Sequence, residues 1–198
     1  MHLKSKNYNY YFIFNSTKIN EVYSIKKGIY ILFSGNVFNL KKSKYTKVNQ
    51  ILNGYLKYGV SYLKKLDGSF SILILDTNKD HIYTLRDRHG SNLLFYYKKK
   101  NFLLIFTKIR YLKDFIFKLE PNWNHIKIYL FKNYRYSYST SETFFKDIYL
   151  FKHNSINFFF KNKIKTSDLY KFNIKNKKIE NIDNVKKDFL KILNTSFK

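Results

Sequence analysis

Several short runs along this chain are apolar at both odd and even positions, the pattern of strands buried on two faces. The run 29–34 is the clearest: Tyr30 and Leu32 alternate with Ile31 and Phe33, so neither face is polar. Upstream, 10–14 and 22–25 are aromatic and β-branched, and Lys26-Lys27-Gly28 supplies a turn between them and the 29–34 run. The period then changes. Thr46 offers a helix cap, and Val48, Ile51, Leu52, Tyr55 and Leu56 follow at i, i+3, i+4, i+7 and i+8, an amphipathic helix ended by Gly59. From 69 to 107 the pattern predicts a meander: strands at 69–75, 81–86, 93–97 and 102–107, with a turn at Thr77-Asn78-Lys79-Asp80 and a lysine turn at 98–101.

A short helix is expected at 109–114, and another with Pro121 just inside its start and Trp123, Ile126, Tyr129 and Leu130 at helical spacing. A final pair of strands, 148–150 and 156–160, leads into a polar segment, 161–181. Asp183-Asn184 then caps a helix that carries Val185, Phe189 and Ile192 on one face.

At 198 residues, 44% hydrophobic and 20% aromatic, the chain has material for one well-filled core. Its net charge of +25 points toward polyanions. The charge is nearly all lysine, with arginine only at Arg86, Arg88, Arg110 and Arg135, and it is spread out rather than gathered in a block. Alanine is absent while Lys, Asn, Ile, Tyr and Phe abound, the composition an AT-biased coding sequence gives. No cysteine occurs, which excludes disulfides, thiolate metal sites and thiol nucleophiles within these residues. The five histidines, His2, His81, His89, His125 and His153, lack metal-ligand spacing and are expected at the surface or in strands, and no metal site is expected. Asp76 and Asp80 flank a turn, where Asp ordinarily bonds the backbone. Tyr and Lys interleave in 129–138, a pattern that can stack bases but more often builds strands and core. With neither a signal-peptide pattern nor an apolar span of membrane length, the expectation is a soluble, cytoplasmic protein without membrane contact.

The segment 66–97, LDGSFSILILDTNKDHIYTLRDRHGSNLLFYY, resembles the class II (N-terminal nucleophile) glutaminase domain of asparagine synthetases, where LxGxFAFAxxD runs through a turn into xARDRxGxxPLYY. GIYILFSGNVFN, 28–39, is similar to the strand ending in NGEIYN, and FLLIFTKIRYL, 102–112, to LxFASEIKAL. The matching positions that read as structural are Gly68, Phe70, Arg86, Asp87, Arg88 and Gly90, together with Gly35 and Gly59. The resemblance implies an α+β fold, an Ntn-type sandwich of two antiparallel β-sheets flanked by helices. It also implies one domain at 1–182 and a helical stub at 183–198 resembling the start of an asparagine synthetase domain. Arg86-Asp87-Arg88 has two readings: an ion-pair cluster fixing the loop to Asn92, or a polar contact with a synthetase half.

The resemblance also locates a pocket whose chemistry has changed. The family's nucleophile is an N-terminal cysteine, and here His2 follows Met1. The oxyanion donors of NGE align with Ser34 and Gly35, and its Glu with Asn36. The carboxylate of SDxE that holds the substrate's ammonium aligns with Lys47, a like charge. The HRGPD loop, which binds the substrate carboxylate, has no counterpart before Gly28. The expected role is therefore a non-catalytic amidotransferase-like domain supporting an ATP-dependent ligase of asparagine synthetase, β-lactam synthetase or lasso-peptide cyclase type. That ligase domain would lie on another chain and carry the ATP and Mg, with no cofactor on this one. The alternatives are a basic nucleic-acid-binding protein or an inactive decayed fragment.

Dispersed lysines lead to a first prediction. Binding to RNA or DNA should be weak, indifferent to sequence, and lost between low and physiological salt, because counterion release is the only term available. Fluorescence anisotropy across a salt series measures this, and a salt-resistant complex with one sequence would favour the nucleic-acid reading.

Overall fold

Strands that are apolar on both faces need cover on both sides, and the computed structural model of the chain provides it with two stacked sheets. It describes residues 2–4, 9–13, 23–99, 102–114, 118–132, 140–160, 163–171 and 181–196. The strands are β1 (His2–Lys4), β2 (Asn9–Ile13), β3 (Tyr23–Lys26), β4 (Ile29–Val37), β5 (Gly68–Asp76), β6 (His81–Arg86), β7 (Phe95–Lys99), β8 (Phe102–Phe106), β9 (Ile148–Leu150), β10 (Ser155–Phe160) and β11 (Lys163–Asp168). The helices are α1 (Lys47–Tyr58), α2 (Val60–Leu63), α3 (Trp123–Lys132) and α4 (Ile182–Ser196), with a 3₁₀ turn at Ile109–Asp114. A six-stranded sheet has the order β11-β10-β6-β5-β4-β3 and a five-stranded sheet the order β1-β2-β8-β7-β9. All pairs are antiparallel except β2 with β8. This is the expected α+β sandwich of two antiparallel sheets flanked by helices.

Alternation along each strand sorts the core into three apolar layers. Ile31, Phe33, Ile72, Ile74 and Leu85 point outward from the six-stranded sheet and pack under α1 through Val48, Ile51, Leu52 and Tyr55. Leu32, Leu73, Leu75 and Ile82 point inward and meet Leu103, Ile105 and Phe151 between the sheets. Leu104, Phe106 and Ile148, on the far side of the five-stranded sheet, are covered by Leu112 and Phe145. Full burial of each such side chain contributes about 1.5–3 kcal/mol, so strands with two apolar faces are the main source of stability.

Helix α1 forms as its stripe predicts. Thr46 Oγ1 accepts from Asn49 N at 3.3 Å, and Gly59 at φ 61° sends its N–H to Tyr55 O at 2.7 Å.

Several expectations need correction. The stretch 69–107 is not one meander: β5 and β6 belong to the six-stranded sheet, and β7 and β8 to the five-stranded one. β5 and β8 are apolar on both faces and β6 and β7 mix apolar with polar positions, so the pattern carries no mark of the crossing. For the same reason the strands near 148–150 and 156–160 are not partners: β9 pairs with β7, β10 with β6. The polar segment hides β11, whose side chains are mostly exposed because it is an edge strand.

Pro121 lies before α3 in a bridge to Phe145, and Asn122 is the cap, its Oδ1 accepting from His125 N at 3.2 Å. The face of α3 that packs inward carries His125, whereas Trp123 and Leu130 are exposed. In α4 the cap is Asn181, which accepts from Asp183 N at 2.8 Å. Phe14, Val22, Lys100 and Asn101, and most of 129–138, fall outside the described residues.

Candidate functional site

The loop 87–94, which carries the chain from one sheet to the other, is organised by two buried charged side chains. Asp87 is 1% exposed and Arg86 3%. The Asp87 carboxylate accepts from the backbone N–H groups of His89 (2.9 Å), Phe70 (3.2 Å), Ser91 (3.2 Å) and Asn92 (3.4 Å). Arg86 donates to the carbonyls of Gly90 (2.7 Å), Asn92 (2.9 Å) and Phe151. Burial lowers the Arg86 pKa from its ordinary value, and the adjoining Asp87 acts in the opposite direction. These residues fix the loop through its backbone rather than as an ion-pair cluster. Arg88 is separate: it lies 3.8 Å from Asp67 and 4.0 Å above the Tyr170 ring.

Gly90 fits this arrangement because φ is +67° and a Cβ there would sit 2.8 Å from the Arg86 guanidinium and from His153. Gly68 starts β5 and Phe70 is fully buried, so the motif positions form one structural unit.

The candidate pocket abuts that unit. Ser34, Gly35 and Asn36 end β4 opposite Ser71, Phe70 and Ser69. Gly35 has φ +111°, and its absent side chain leaves room for Asn92 Nδ2 and the Ser69 carbonyl. Asn92 in turn donates to Ser69 Oγ at 2.9 Å. A continuous path thus runs from Asp87 through Asn92 to the backbone at Gly35. Lys47, the first residue of α1, donates its ammonium to Asn36 Oδ1 at 3.0 Å. Lys47 thus lies beside the consecutive residues Ser34, Gly35 and Asn36. Beside them, a groove of about 440 Å³ is lined by Phe33, Lys41, Lys42, Tyr45, Lys47 and Gln50, among others.

Sequence reasoning missed the buttress under this pocket. Asn39 donates to the Lys65 carbonyl at 2.6 Å and accepts from Asp67 N at 3.0 Å, tying the end of β4 to the entrance of β5. Asn92 and Ser69 were likewise missed as linkers. Asparagine next to a strand end was the only available signal, and its partners are distant in sequence.

Asp76, His125 and Tyr129 have structural contacts elsewhere in the fold. Asp76 accepts from Asn78 and Lys79 N–H groups at 3.1 and 3.3 Å, a turn role. His125 is buried in α3, 3.7 Å from Glu142, contrary to the surface or strand placement expected of it. Tyr129 packs edge-on against Phe144. Among the described residues no three His, Asp or Glu side chains gather as a metal site, and no helix is long and apolar enough to cross a membrane.

Two stacked sheets with helices outside, and a pocket at the end of β4 facing the start of a helix, define an amidotransferase-type sandwich of the N-terminal-nucleophile kind. Residues 19–171 match the glutamine amidotransferase domain family, and the chain belongs to that family. It is similar to the amidase chry2 of Gibberella zeae, 29% identical over 108 residues, covering 48% of this chain and 16% of that protein. The amidase chyE of Penicillium rubens is 36% identical over 70 residues, covering 35% and 10%. The glutamine-hydrolysing asparagine synthetase 2 of Bacillus subtilis is 30% identical over 92 residues, covering 41% and 12%. The chain thus matches less than a fifth of each relative's length.

The hub yields the second prediction. Asp87→Ala leaves several buried N–H groups without acceptors and should cost about 3–5 kcal/mol. Arg88→Ala, at a half-exposed pair, should cost about 1 kcal/mol or less. Urea unfolding of both variants measures the difference, and equal costs would remove Asp87 as the organiser of the crossing.

Proposed function

We propose that this chain is an amidotransferase-type domain that does not hydrolyse glutamine and instead supports an ATP-dependent ligase domain of the asparagine-synthetase kind. The observation that carries this reading is the hydrogen bond from Lys47 to Asn36. In the family the Lys47 position holds the carboxylate that receives the substrate's ammonium, and here an ammonium occupies it. Glutamine would bring a second positive charge to within a few ångströms, where like charges repel strongly at reduced dielectric. Asn36 in place of Glu, Ser34 in place of the oxyanion asparagine, and the lack of any cysteine in the 198 residues support the same conclusion.

The structural core is intact around this altered pocket. Asp87, Arg86, Gly90 and Gly35 retain their packing roles, so the sequence preserves a shape while its pocket chemistry has changed. In this proposal residues 1–182 form the domain and α4 is a docking element. Val185, Phe189 and Ile192 are 47%, 59% and 65% exposed, an apolar face that needs cover. The covering surface is the ligase domain, which holds ATP and Mg and performs amide or ring formation in the cytoplasm.

A third prediction follows for the pocket. Purified protein should release no ammonia from glutamine above background and should resist labelling by glutamine-like electrophiles. Turnover that survives purification and responds to Gly35→Ala would overturn the reading.

The fourth concerns docking. Co-expression with a ligase domain bearing the SGGxDS loop should give a co-purifying complex with a raised Tm, since a partner that binds only the folded state stabilises it. Phe189→Asp should abolish co-purification while leaving the Tm of the isolated chain nearly unchanged. If the chain is monodisperse alone and leaves the ligase's ATP-pyrophosphate exchange unaltered, the decayed-fragment alternative becomes the better account.

A further inference from the structure

The groove beside Lys47 has a charge pattern that loss of hydrolysis does not require. Three of its lining side chains, Lys41, Lys42 and Lys47, are lysines, and no lining residue is a carboxylate. The Lys47 ammonium is bonded to the neutral Asn36 carbonyl oxygen, so that contact leaves its charge uncompensated. Asp67, an acid at the buttress, lies 3.8 Å from the Arg88 guanidinium. Lys44 adds a further positive charge, its ammonium 5.7 Å from the centre of the Tyr45 ring. Concave walls of one sign concentrate counter-ions more strongly than the same charges spread over a convex surface.

The shape limits what can be taken. About 440 Å³ is the size of a small-molecule cleft, with Phe33, Leu40 and Val48 as an apolar floor. Tyr45, 54% exposed at the rim, presents a ring to anything seated there. A multivalent oxyanion meets several lysines at once, whereas a zwitterionic amino acid meets repulsion at its ammonium.

We propose that this groove binds a small multivalent oxyanion, a phosphate-bearing metabolite of about nucleotide size, with its phosphates among Lys41, Lys42 and Lys47 and its flat part against Tyr45. This rests on the reading of the pocket as non-hydrolytic and extends it: replacing the ammonium-binding carboxylate by lysine reversed the ligand preference of the site.

Calorimetric titration of the full chain with inorganic pyrophosphate, ATP and glutamine at physiological salt tests it. Pyrophosphate and ATP should saturate at one per chain, ATP more tightly, and glutamine should give no signal. The double variant K42E/K47E should weaken both anions about tenfold or more, and the milder K47Q by a smaller factor with unchanged Tm. K163E/K165E on the exposed β11 edge removes the same charge elsewhere and should change affinity less than about twofold. Absence of saturable binding, or equal losses in the two double variants, overturns the inference in favour of diffuse charge. A single-stranded RNA oligomer that displaces pyrophosphate and saturates at lower concentration overturns it in favour of a polymer surface. Ammonia release measured on the same sample reports separately: hydrolysis of glutamine sinks the reading of the pocket, whereas no hydrolysis and no anion binding sinks this inference alone.

Discussion

A buried carboxylate that must find donors fixes how the two sheets of this fold connect. Asp87 lies where the chain leaves one sheet for the other, and an isolated charge there would be prohibitive. Its oxygens are instead surrounded by backbone N–H groups from β5 and from its own loop, while Arg86 gathers carbonyls from the loop and from Phe151. One pair of neighbouring residues therefore sets where the two sheets connect, how the loop turns, and how the segment after β9 docks. Residue 90 is glycine both because its φ is +67° and because Arg86 and His153 occupy the space a Cβ would take.

That constraint reaches the pocket through Asn92 and Ser69, which pack beneath Gly35. The end of β4 is consequently fixed from below by the crossing loop and from the side by Asn39, independently of what its own side chains do. This explains physically how pocket residues can change character without loss of the fold. Ser34, Asn36 and Lys47 project from a frame whose stability is generated elsewhere, by three apolar layers and a buried hydrogen-bond hub. A frame held in this way leaves the side chains at the end of β4 and the start of α1 free of the packing that stabilises the domain.

The strong positive charge also looks different once the structure is considered. Among the described residues, Lys26, Lys27, Lys99, Lys163 and Lys165 are exposed, at strand ends, in a turn or on the edge strand β11. Near α1, by contrast, Lys41, Lys42 and Lys47 line one concavity.

The sequence by itself determined the two-faced strands, the α1 stripe with its Thr46 cap and Gly59 stop, and the resemblance carried by Gly68, Phe70, Arg86, Asp87, Arg88 and Gly90, because these depend on periodicity and on backbone needs that are local. Tertiary structure decided which sheet each strand joined. Runs such as 72–75 and 103–106 are apolar on both faces, so their own pattern does not select a sheet, and the two lie on opposite sides of the crossing loop that Asp87 holds. It also decided the edge position of polar β11, the inward turn of His125, and the contact between Lys47 and Asn36, eleven residues apart. Those outcomes depend on which distant backbone groups and side chains are brought within hydrogen-bond reach, and no local pattern records that.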